Sequence, residues 1–172
     1  MIRWFRILIN IFIFVILQTL VINNIHLFGI VTPFIYFFVL LKMPIDMKRS
    51  TTILLSFFLG LIIDIFSNTF GIHAAACSLL GFIRNPLIAQ FVDVKELTGG
   101  SIPSYRLFGF SRFFYFILIM VSLHHFILFS IDSFGFTHPI QLIIRILSSI
   151  SLTVILMIII ETFSYRIILR GE

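Results

Sequence analysis

The sequence predicts an all-α integral membrane protein, and two properties of the whole chain lead to this fold class. Of the 172 residues, 60% are hydrophobic and only 11% are charged, whereas about a quarter of the residues of a soluble domain are charged. The mean hydropathy is +1.17, so too few polar side chains remain to cover a water-soluble globule. We therefore expect residues 1–172 to form a single polytopic membrane domain surrounded by the lipid bilayer.

Apolar segments separated by turn residues predict six transmembrane helices, because about 20 mostly apolar residues cross the hydrocarbon core. Pro33 and Pro86 fall inside the second and fourth segments, and each can kink its helix. The breaks between the segments contain residues typical of turns, namely Asn23-Asn24, Met43 to Asp46, Ser67 to Gly71, Gly99 to Pro103, and Ser133 to Pro139. The predicted spans are residues 5–22, 26–41, 51–66, 72–92, 107–130 and 139–163.

The distribution of basic residues predicts that both termini are cytoplasmic. Basic side chains occur before the first span, around alternate connections and after the sixth span, whereas the connections at 23–25, 67–71 and 131–138 contain none. This alternation accounts for the net charge of +5, so the charge does not indicate a nucleic-acid partner. The basic residues that produce it are Arg3, Arg6, Lys42, Lys48, Arg49, Lys95, Arg106, Arg112, Arg166 and Arg170.

Charged residues inside the spans are candidate site residues, because a charge in the bilayer costs several kcal/mol unless it is paired or hydrated. We estimate the depth of each charge in the membrane at about 1.5 Å per residue. Asp64 and Arg145 have opposite charges at matching depth, which predicts that they pair. By the same comparison, Glu161 is predicted to pair with either Arg84 or Arg112. These charges either stabilise the bundle as pairs or by snorkelling, line a substrate or proton pathway, or contact the membrane helix of a partner protein.

The histidines are a second group of candidates. His26, His73 and His138 are predicted near the outer surface, where they are either interfacial anchors or part of a metal-binding or pH-sensitive site. His124 and His125 are adjacent in the fifth span and point about 100° apart, so they do not chelate one ion as an i, i+4 pair does. We expect at least one of them to face a neighbouring helix, and we expect no bound metal or cofactor.

The stretch GLIIDIFSNTFGIHAAA, residues 60–76, predicts a tight helical hairpin at the outer surface. Gly60 and Asp64 share one face of the third span, and the turn SNTFG ends at Gly71. Gly60 and the alanines after the turn allow the two helices to approach closely. Asp64 is expected to point inward, where it accepts hydrogen bonds from the turn amides or from His73.

Small residues on two spans predict faces for close helix–helix association. We expect these faces either at internal helix contacts or at a contact with a partner's helix. Cys77 is the only cysteine, which excludes an intrachain disulfide and a multi-cysteine zinc site. The small residues are Ala74, Cys77, Ser78 and Gly81 on the fourth span, and Ser148, Ser149 and Ser151 on the sixth.

The segment FFLGLIIDIFSNTFGIHAAACSLLGFIR, residues 57–84, resembles the signature region of the MreD family of rod shape-determining proteins. Gly60, Asp64 and Gly71, followed by three alanines, stand at the positions of that family's first glycine, aspartate and second glycine. The segment FVDVKELTGGSIPSYRLFGFSRFFYF, residues 91–116, also resembles the cytoplasmic loop and fifth span of some members. By length and layout the resemblance extends over the whole chain, and by motif over these two segments.

The resemblance implies a non-enzymatic scaffold in the bacterial inner membrane. MreD proteins belong to the cell-elongation complex that links cytoplasmic MreB filaments to peptidoglycan synthesis, and they have no known catalytic activity. Their direct partner is MreC, a single-span protein with a periplasmic domain. A glycosyltransferase of the shape, elongation, division and sporulation class and a class B penicillin-binding protein complete the assembly. The family fold is similar to the six-helix substrate-binding subunits of energy-coupling-factor vitamin transporters.

The residues themselves are also consistent with a function that involves no catalysis. The sequence contains no nucleotide-binding loop, nucleophile elbow or zinc-protease helix. The alternative function is a small-molecule-binding subunit of a vitamin-type transporter, which needs a pocket open to the outside. The predicted outer loops are short and leave little material for a lid over such a pocket. Its candidate lining residues are Asp64, His73, His138 and Arg145.

Overall fold

A computed structural model describes residues 2–24, 31–93, 99–132 and 139–170. Within these ranges the secondary structure is helical and contains no β-strand, so the predicted all-α fold is confirmed for the described part of the chain. The first helix continues as a π-helical turn, Leu17–Val21, and a 3₁₀ turn, Ile22–Asn24. The helices are α1 (Ile2–Ile16), α2 (Phe38–Leu41), α3 (Arg49–Ser67), α4 (Ile72–Phe91), α5 (Tyr105–Phe108), α6 (Phe110–Asp132) and α7 (Pro139–Arg170).

Within the described ranges, four helices are long and apolar enough to cross a membrane, which makes the chain a multi-pass membrane protein. They are α3, α4, α6 and the Pro139–Phe163 part of α7, and they correspond closely to the predicted third to sixth spans. Pro86 lies inside α4, which continues to Phe91. The predicted first span corresponds to a shorter apolar helical stretch, Ile7–Val21.

The second predicted span, residues 26–41, is not a continuous helix. Only Phe38–Leu41 are helical, residues 31–37 have no regular helical structure, and residues 25–30 lie outside the described residues. Pro33 contributes to this break because it has no N–H to donate to a helical ladder. The segment is nevertheless buried from Phe34 to Leu41, as non-helical backbone at membrane depth must be. The prediction of a transmembrane helix here is wrong.

α3 and α4 form an antiparallel hairpin with the most extensive helix–helix contact in the described chain. Asn68 follows α3 with a left-handed φ of 53°. Gly71 precedes α4 with a φ of 80°, and a Cβ added there would meet no atom within 4 Å. Glycine therefore suits this position for its freedom to adopt positive φ and not for lack of space. The predicted turn at residues 67–71 is confirmed.

Two other glycines let the helices of this hairpin pack at backbone distance. A Cβ built on Gly60 would lie 2.6 Å from the Cα of Ala74. A Cβ built on Gly81 would lie 2.9 Å from the Cβ of Ser56 and 3.2 Å from the Cα of Ile53. Gly60 therefore faces α4, and Gly81 faces α3. The predicted close approach is confirmed, and the alternative in which Gly81 faces a partner protein is wrong.

The substitution Gly60→Ala is expected to destabilise the protein by about 1–3 kcal/mol, the usual cost of overpacking. The added methyl group would meet the backbone of α4, which moves only if the two helices separate. The free energy of unfolding in detergent measures the effect. Ala75→Val is the matched control, because it enlarges an exposed residue of α4 and should have little effect. Equal destabilisation by the two changes would contradict close packing at Gly60.

The remaining helices complete a bundle with two distinct ends. α6 packs against α4, and α7 packs against α6. At the end that we call the hairpin end, the turn at residues 67–71 lies with the end of α6 and the start of α7. The opposite end, which we call the basic end, contains Lys42, the start of α3 with Arg49, and Arg112, whose Nη1 donates to the carbonyl of Phe91 at 3.3 Å. The side chains of Arg3, Arg6, Lys95, Arg166 and Arg170 lie outside the described residues.

Candidate functional site

Asp64 closes the α3–α4 hairpin at its turn. Its carboxylate accepts hydrogen bonds from the backbone N–H groups of His73 and Ala74 at 3.1 and 2.8 Å, and from the hydroxyl of Thr69 at 2.5 Å. The first amides of a helix have no partner within that helix, and the helix dipole favours a negative charge beside them. Asp64 is only 2% exposed. Of the two predicted donors, His73 is confirmed through its backbone N–H, whereas the turn donates through the Thr69 hydroxyl and not through its amides. These bonds explain the acid in an apolar helix.

The predicted pairing of Asp64 with Arg145 is wrong. Arg145 Nη1 instead lies 3.3 Å from Asp132 Oδ2, and both side chains are more than a third exposed. The guanidinium of Arg145 also lies 4.5 Å from the ring centre of Phe129. Asp132 ends α6 and Arg145 lies in the second turn of α7, so the pair is local to one connection. Asp64 needs no cationic partner because backbone amides donate to its carboxylate. A comparison of side-chain charges alone does not include these amides.

Glu161 pairs with Lys42, and the predicted pairing with Arg84 or Arg112 is wrong. Lys42 Nζ lies 2.9 Å from Oε1 and 2.8 Å from Oε2 of Glu161. The same ammonium donates to the carbonyl of Pro103 at 2.6 Å, while Glu161 is 4% exposed. The sequence contained a signal for this pair, because both residues stand at the cytoplasmic ends of predicted spans. The predicted loop position of Lys42 excludes it from a comparison of charges inside the spans.

Arg84 is fully buried and holds the residues that follow α2. Its guanidinium donates to the carbonyl of Met43, to the carbonyl of Leu41 at 3.4 Å and to Asn85 Oδ1 at 2.9 Å. Carbonyl groups at the end of a helix lack intrahelical partners and favour a cation. The position of Arg84 in the core therefore follows from these carbonyls, without a carboxylate partner.

Four buried side chains meet below the hairpin turn, and the sequence did not predict them as a group. We call this group the histidine cluster: Tyr36, His73, Cys77 and His124. The hydroxyl oxygen of Tyr36 lies 3.0 Å from His73 Nδ1, 2.7 Å from His124 Nε2 and 3.5 Å from Cys77 Sγ. Tyr36, Cys77 and His124 are completely buried, and His73 is 4% exposed. His73 is therefore not the interfacial anchor that was one of its expected roles.

The hydrogen bonds of the neighbouring His125 define its neutral tautomer. The carbonyl of Val121 only accepts, so His125 Nδ1, at 2.9 Å, carries the hydrogen. His125 Nε2 then accepts from the hydroxyl of Thr153 at 3.2 Å, and that hydroxyl accepts from the N–H of Phe34, also at 3.2 Å. Both adjacent histidines of α6 thus face inward. The prediction that at least one of them faces a neighbouring helix is confirmed.

Side chains from distant helices satisfy the backbone of residues 31–37. The N–H of Thr32 donates to Ser149 Oγ at 3.0 Å, and the N–H of Ile35 donates to Gln18 Oε1 at 2.8 Å. Gln18 Nε2 also donates to the carbonyl of Pro33 at 3.2 Å. Because a buried backbone group without a partner costs free energy, these side chains make the non-helical segment possible inside the bundle.

The small residues predicted for helix association divide into an internal and an outward-facing set. Ser78 is half-buried and donates to the carbonyl of Ala74 at 2.7 Å. Ser148 is half-buried and Ser151 is exposed on α7, and their hydroxyls donate to carbonyls of their own helix at 2.6 and 2.9 Å. These two serines are the members available to a partner. The buried members are Ala74, Cys77, Gly81 and Ser149.

The other predicted site features give no further cluster. His26 and His138 lie outside the described residues. In the described part of the chain, no group of three His, Cys, Asp or Glu residues is placed to hold a metal ion.

A scan against protein-family models, a search of the curated proteins and a search of the solved structures gave no match to this chain. The resemblance of residues 57–84 to the MreD family therefore contributes only to a proposal.

Proposed function

We propose that this chain is a non-enzymatic scaffold of the bacterial cell-elongation complex, located in the inner membrane with both termini in the cytoplasm. The observation that carries the proposal is the hairpin at residues 60–76. Each residue that matches the MreD signature has its own structural role there. Gly60 allows backbone contact with α4, Asp64 accepts amides of the first turn of α4, and Gly71 supplies a positive φ. Such interdependence supports a functional motif over a chance spacing of residues.

The direct partner in this proposal is the membrane helix of an MreC-like single-span protein. Through it, the chain joins the glycosyltransferase of the shape, elongation, division and sporulation class and the class B penicillin-binding protein. It is coupled to MreB filaments indirectly. A scaffold of this kind needs complementary helix faces and no catalytic group, which agrees with the structural roles found for Asp64, Arg84 and Glu161.

The face of α7 that carries Ser148 and Ser151 suits this partner best. Among the described spanning helices, α7 is the least enclosed. In its 18-residue apolar stretch 22% of the residues are buried, against 50% in the corresponding stretch of α4. Ser148, Ser151, Ile155 and Ile159 recur at spacings of three and four and lie on one side, which we call the serine face. Lipid gives helices no hydrophobic drive to associate, so small residues that permit close approach favour a contact here.

Enlarging both serines, Ser148→Leu with Ser151→Leu, is expected to reduce the amount of an MreC-like protein retained by the tagged chain about tenfold, which corresponds to about 1.4 kcal/mol. The bulkier side chains would hold the partner helix away from α7. Co-purification in mild detergent measures retention, and elution volume checks folding. Ala75→Leu, at an exposed position of α4, is the matched control. If the unmodified chain retains no MreC-like protein, the scaffold proposal fails.

The transporter alternative gains no support from its expected lining residues. Asp64 and His73 are almost fully buried within the hairpin, and Arg145 is bonded to Asp132. One cavity of about 160 Å³ lies between α6 and α7 beside Glu161. A second cavity of about 260 Å³ lies between α1 and α3. Their linings are mostly apolar, so neither is the polar outward pocket expected of a vitamin carrier.

A further inference from the structure

Tyr36 attaches the non-helical segment, residues 31–37, to α4 and α6. Its hydroxyl lies between His73 of α4 and His124 of α6. Phe37, the next residue, stacks on the His124 ring with 4.1 Å between ring centres and 19° between planes. Phe34 lies between 5.3 and 5.6 Å from the rings of three histidines, His73, His124 and His125. Imidazole rings thus form much of the surface on which this segment rests.

The hydrogen bonds around Tyr36 are compatible with at most one protonated imidazole. The Tyr36 hydroxyl has one hydrogen, which it donates to one of its two imidazole neighbours, while the other imidazole donates to the hydroxyl oxygen. If both His73 and His124 were protonated, both rings would be donors, and the Tyr36 hydrogen would keep only the weak acceptor Cys77 Sγ at 3.5 Å. His124 Nδ1 is buried and has no partner among the described residues, so a hydrogen there would also lack an acceptor.

Among the described residues, no carboxylate is hydrogen-bonded to either imidazole ring. Asp64 of α3 is the nearest acid, and its oxygen atoms accept from Thr69, His73 and Ala74 without contacting a ring. Asp132 at the end of α6 is exposed and paired with Arg145 of α7. Gln18, which the π-helical turn after α1 contributes to the same segment, is uncharged. The remaining titratable groups near the two rings are Tyr36, Cys77 and His125.

We propose that Tyr36, His73 and His124 form a pH-sensitive latch that holds residues 31–37 in the bundle. With neutral imidazoles the segment is docked. Protons reach the latch from the hairpin end, where His73 lies directly below the turn and retains slight exposure. The docked state binds fewer protons than the released state, so acid shifts the equilibrium toward release. Phe34, Tyr36 and Phe37 would then leave their contacts with α4 and α6. This inference does not depend on the proposed scaffold function.

The native cysteine provides a direct test. Cys77 is the only thiol, is fully buried and lies against the Tyr36 hydroxyl, so release of the segment should uncover it. A dipyridyl disulfide, which reacts with thiols also in acid, is added to the purified chain in detergent. The labelling rate is divided by that of the SDS-unfolded chain at the same pH. We expect the ratio to rise about tenfold between about pH 7.5 and about pH 5, the range in which histidine changes its charge.

Two variants connect this response to the latch. In His73→Asn with His124→Gln, the Asn oxygen replaces Nδ1 as acceptor and the Gln amide replaces the Nε2–H donor, but neither titrates. Labelling should therefore stay slow at both pH values. Tyr36→Phe removes the bridging hydroxyl and should give rapid labelling at both. If the double variant does not fold, Tyr36→Phe alone decides, because slow neutral labelling with a wild-type acid response would overturn the proposal.

Circular dichroism separates local release from unfolding. We expect the helical content of the wild-type chain to stay unchanged at the acidic pH at which Cys77 becomes reactive. Loss of helical signal in parallel with labelling would overturn the proposal, because it would show general acid unfolding. A folded wild-type chain whose thiol stays unreactive in acid would overturn it as well. So would a folded double variant that keeps the full acid response.

Discussion

Lys42→Met is expected to lower the free energy of unfolding by about 3–5 kcal/mol, the usual cost of removing one partner of a buried ion pair. The Glu161 carboxylate, at 4% exposure, would lose both its counter-charge and a hydrogen-bond donor at 2.9 Å. The carbonyl of Pro103 would lose its bond to the same ammonium. Unfolding by graded addition of SDS to the protein in detergent gives the free energy.

The double variant Lys42→Met with Glu161→Leu distinguishes charge from packing. It leaves no charge unpaired, so it is expected to be more stable than Lys42→Met alone, and the two changes should be strongly non-additive. Asp132→Asn is the matched control, because it breaks an exposed pair whose contribution is about 0–1 kcal/mol. Additive effects of the two changes would contradict direct pairing of Lys42 with Glu161.

Asp64→Leu is expected to destabilise the protein by about 2–3 kcal/mol, since it leaves buried amide donors without an acceptor. The amides of His73 and Ala74 would lose their bonds of 3.1 and 2.8 Å, and the turn would lose the bond from Thr69. The same SDS titration measures the effect.

The matched control for Asp64 is Asp132→Leu, the same change at an exposed carboxylate. It should cost about 1 kcal/mol or less. Thr69→Val removes one of the three donors to Asp64 and should fall between the two. If Asp64→Leu were no more harmful than Asp132→Leu, the carboxylate would not be the element that closes the hairpin.

The hairpin was the part of the fold that the sequence predicted in most detail. Gly60, Asp64 and Gly71 lie close together along the chain, and each acts on neighbours within the same two helices. Local spacing therefore contained the needed information. Residues 31–37 were mistaken for a helix because hydropathy measures how apolar a segment is and not how its backbone is bonded. Pro33 indicates a disturbed helix in this segment, but a proline alone does not distinguish a kink from a break.

The partners of the buried charges were harder to predict, and the reason is physical. Matching by depth assumes that each side-chain charge finds an opposite side-chain charge. Asp64 and Arg84 are satisfied instead by backbone amides and carbonyls, whose positions exist only in the folded chain. The histidine cluster was also not predicted, because its side chains are far apart in the sequence and meet only in the folded chain. Tyr36 and His124, for example, are 88 positions apart.

The bonding of residues 31–37 has a consequence for the order in which the protein assembles during synthesis. The N–H of Phe34 and the N–H of Thr32 are satisfied by Thr153 and Ser149 of α7, 119 and 117 positions later. When the ribosome has made residues 31–37, these acceptors do not yet exist. The early part of the chain therefore cannot reach its final arrangement one helix at a time. Completion of this segment waits for the last helix, and a nascent chain must keep those amides hydrated or shielded until α7 enters the membrane.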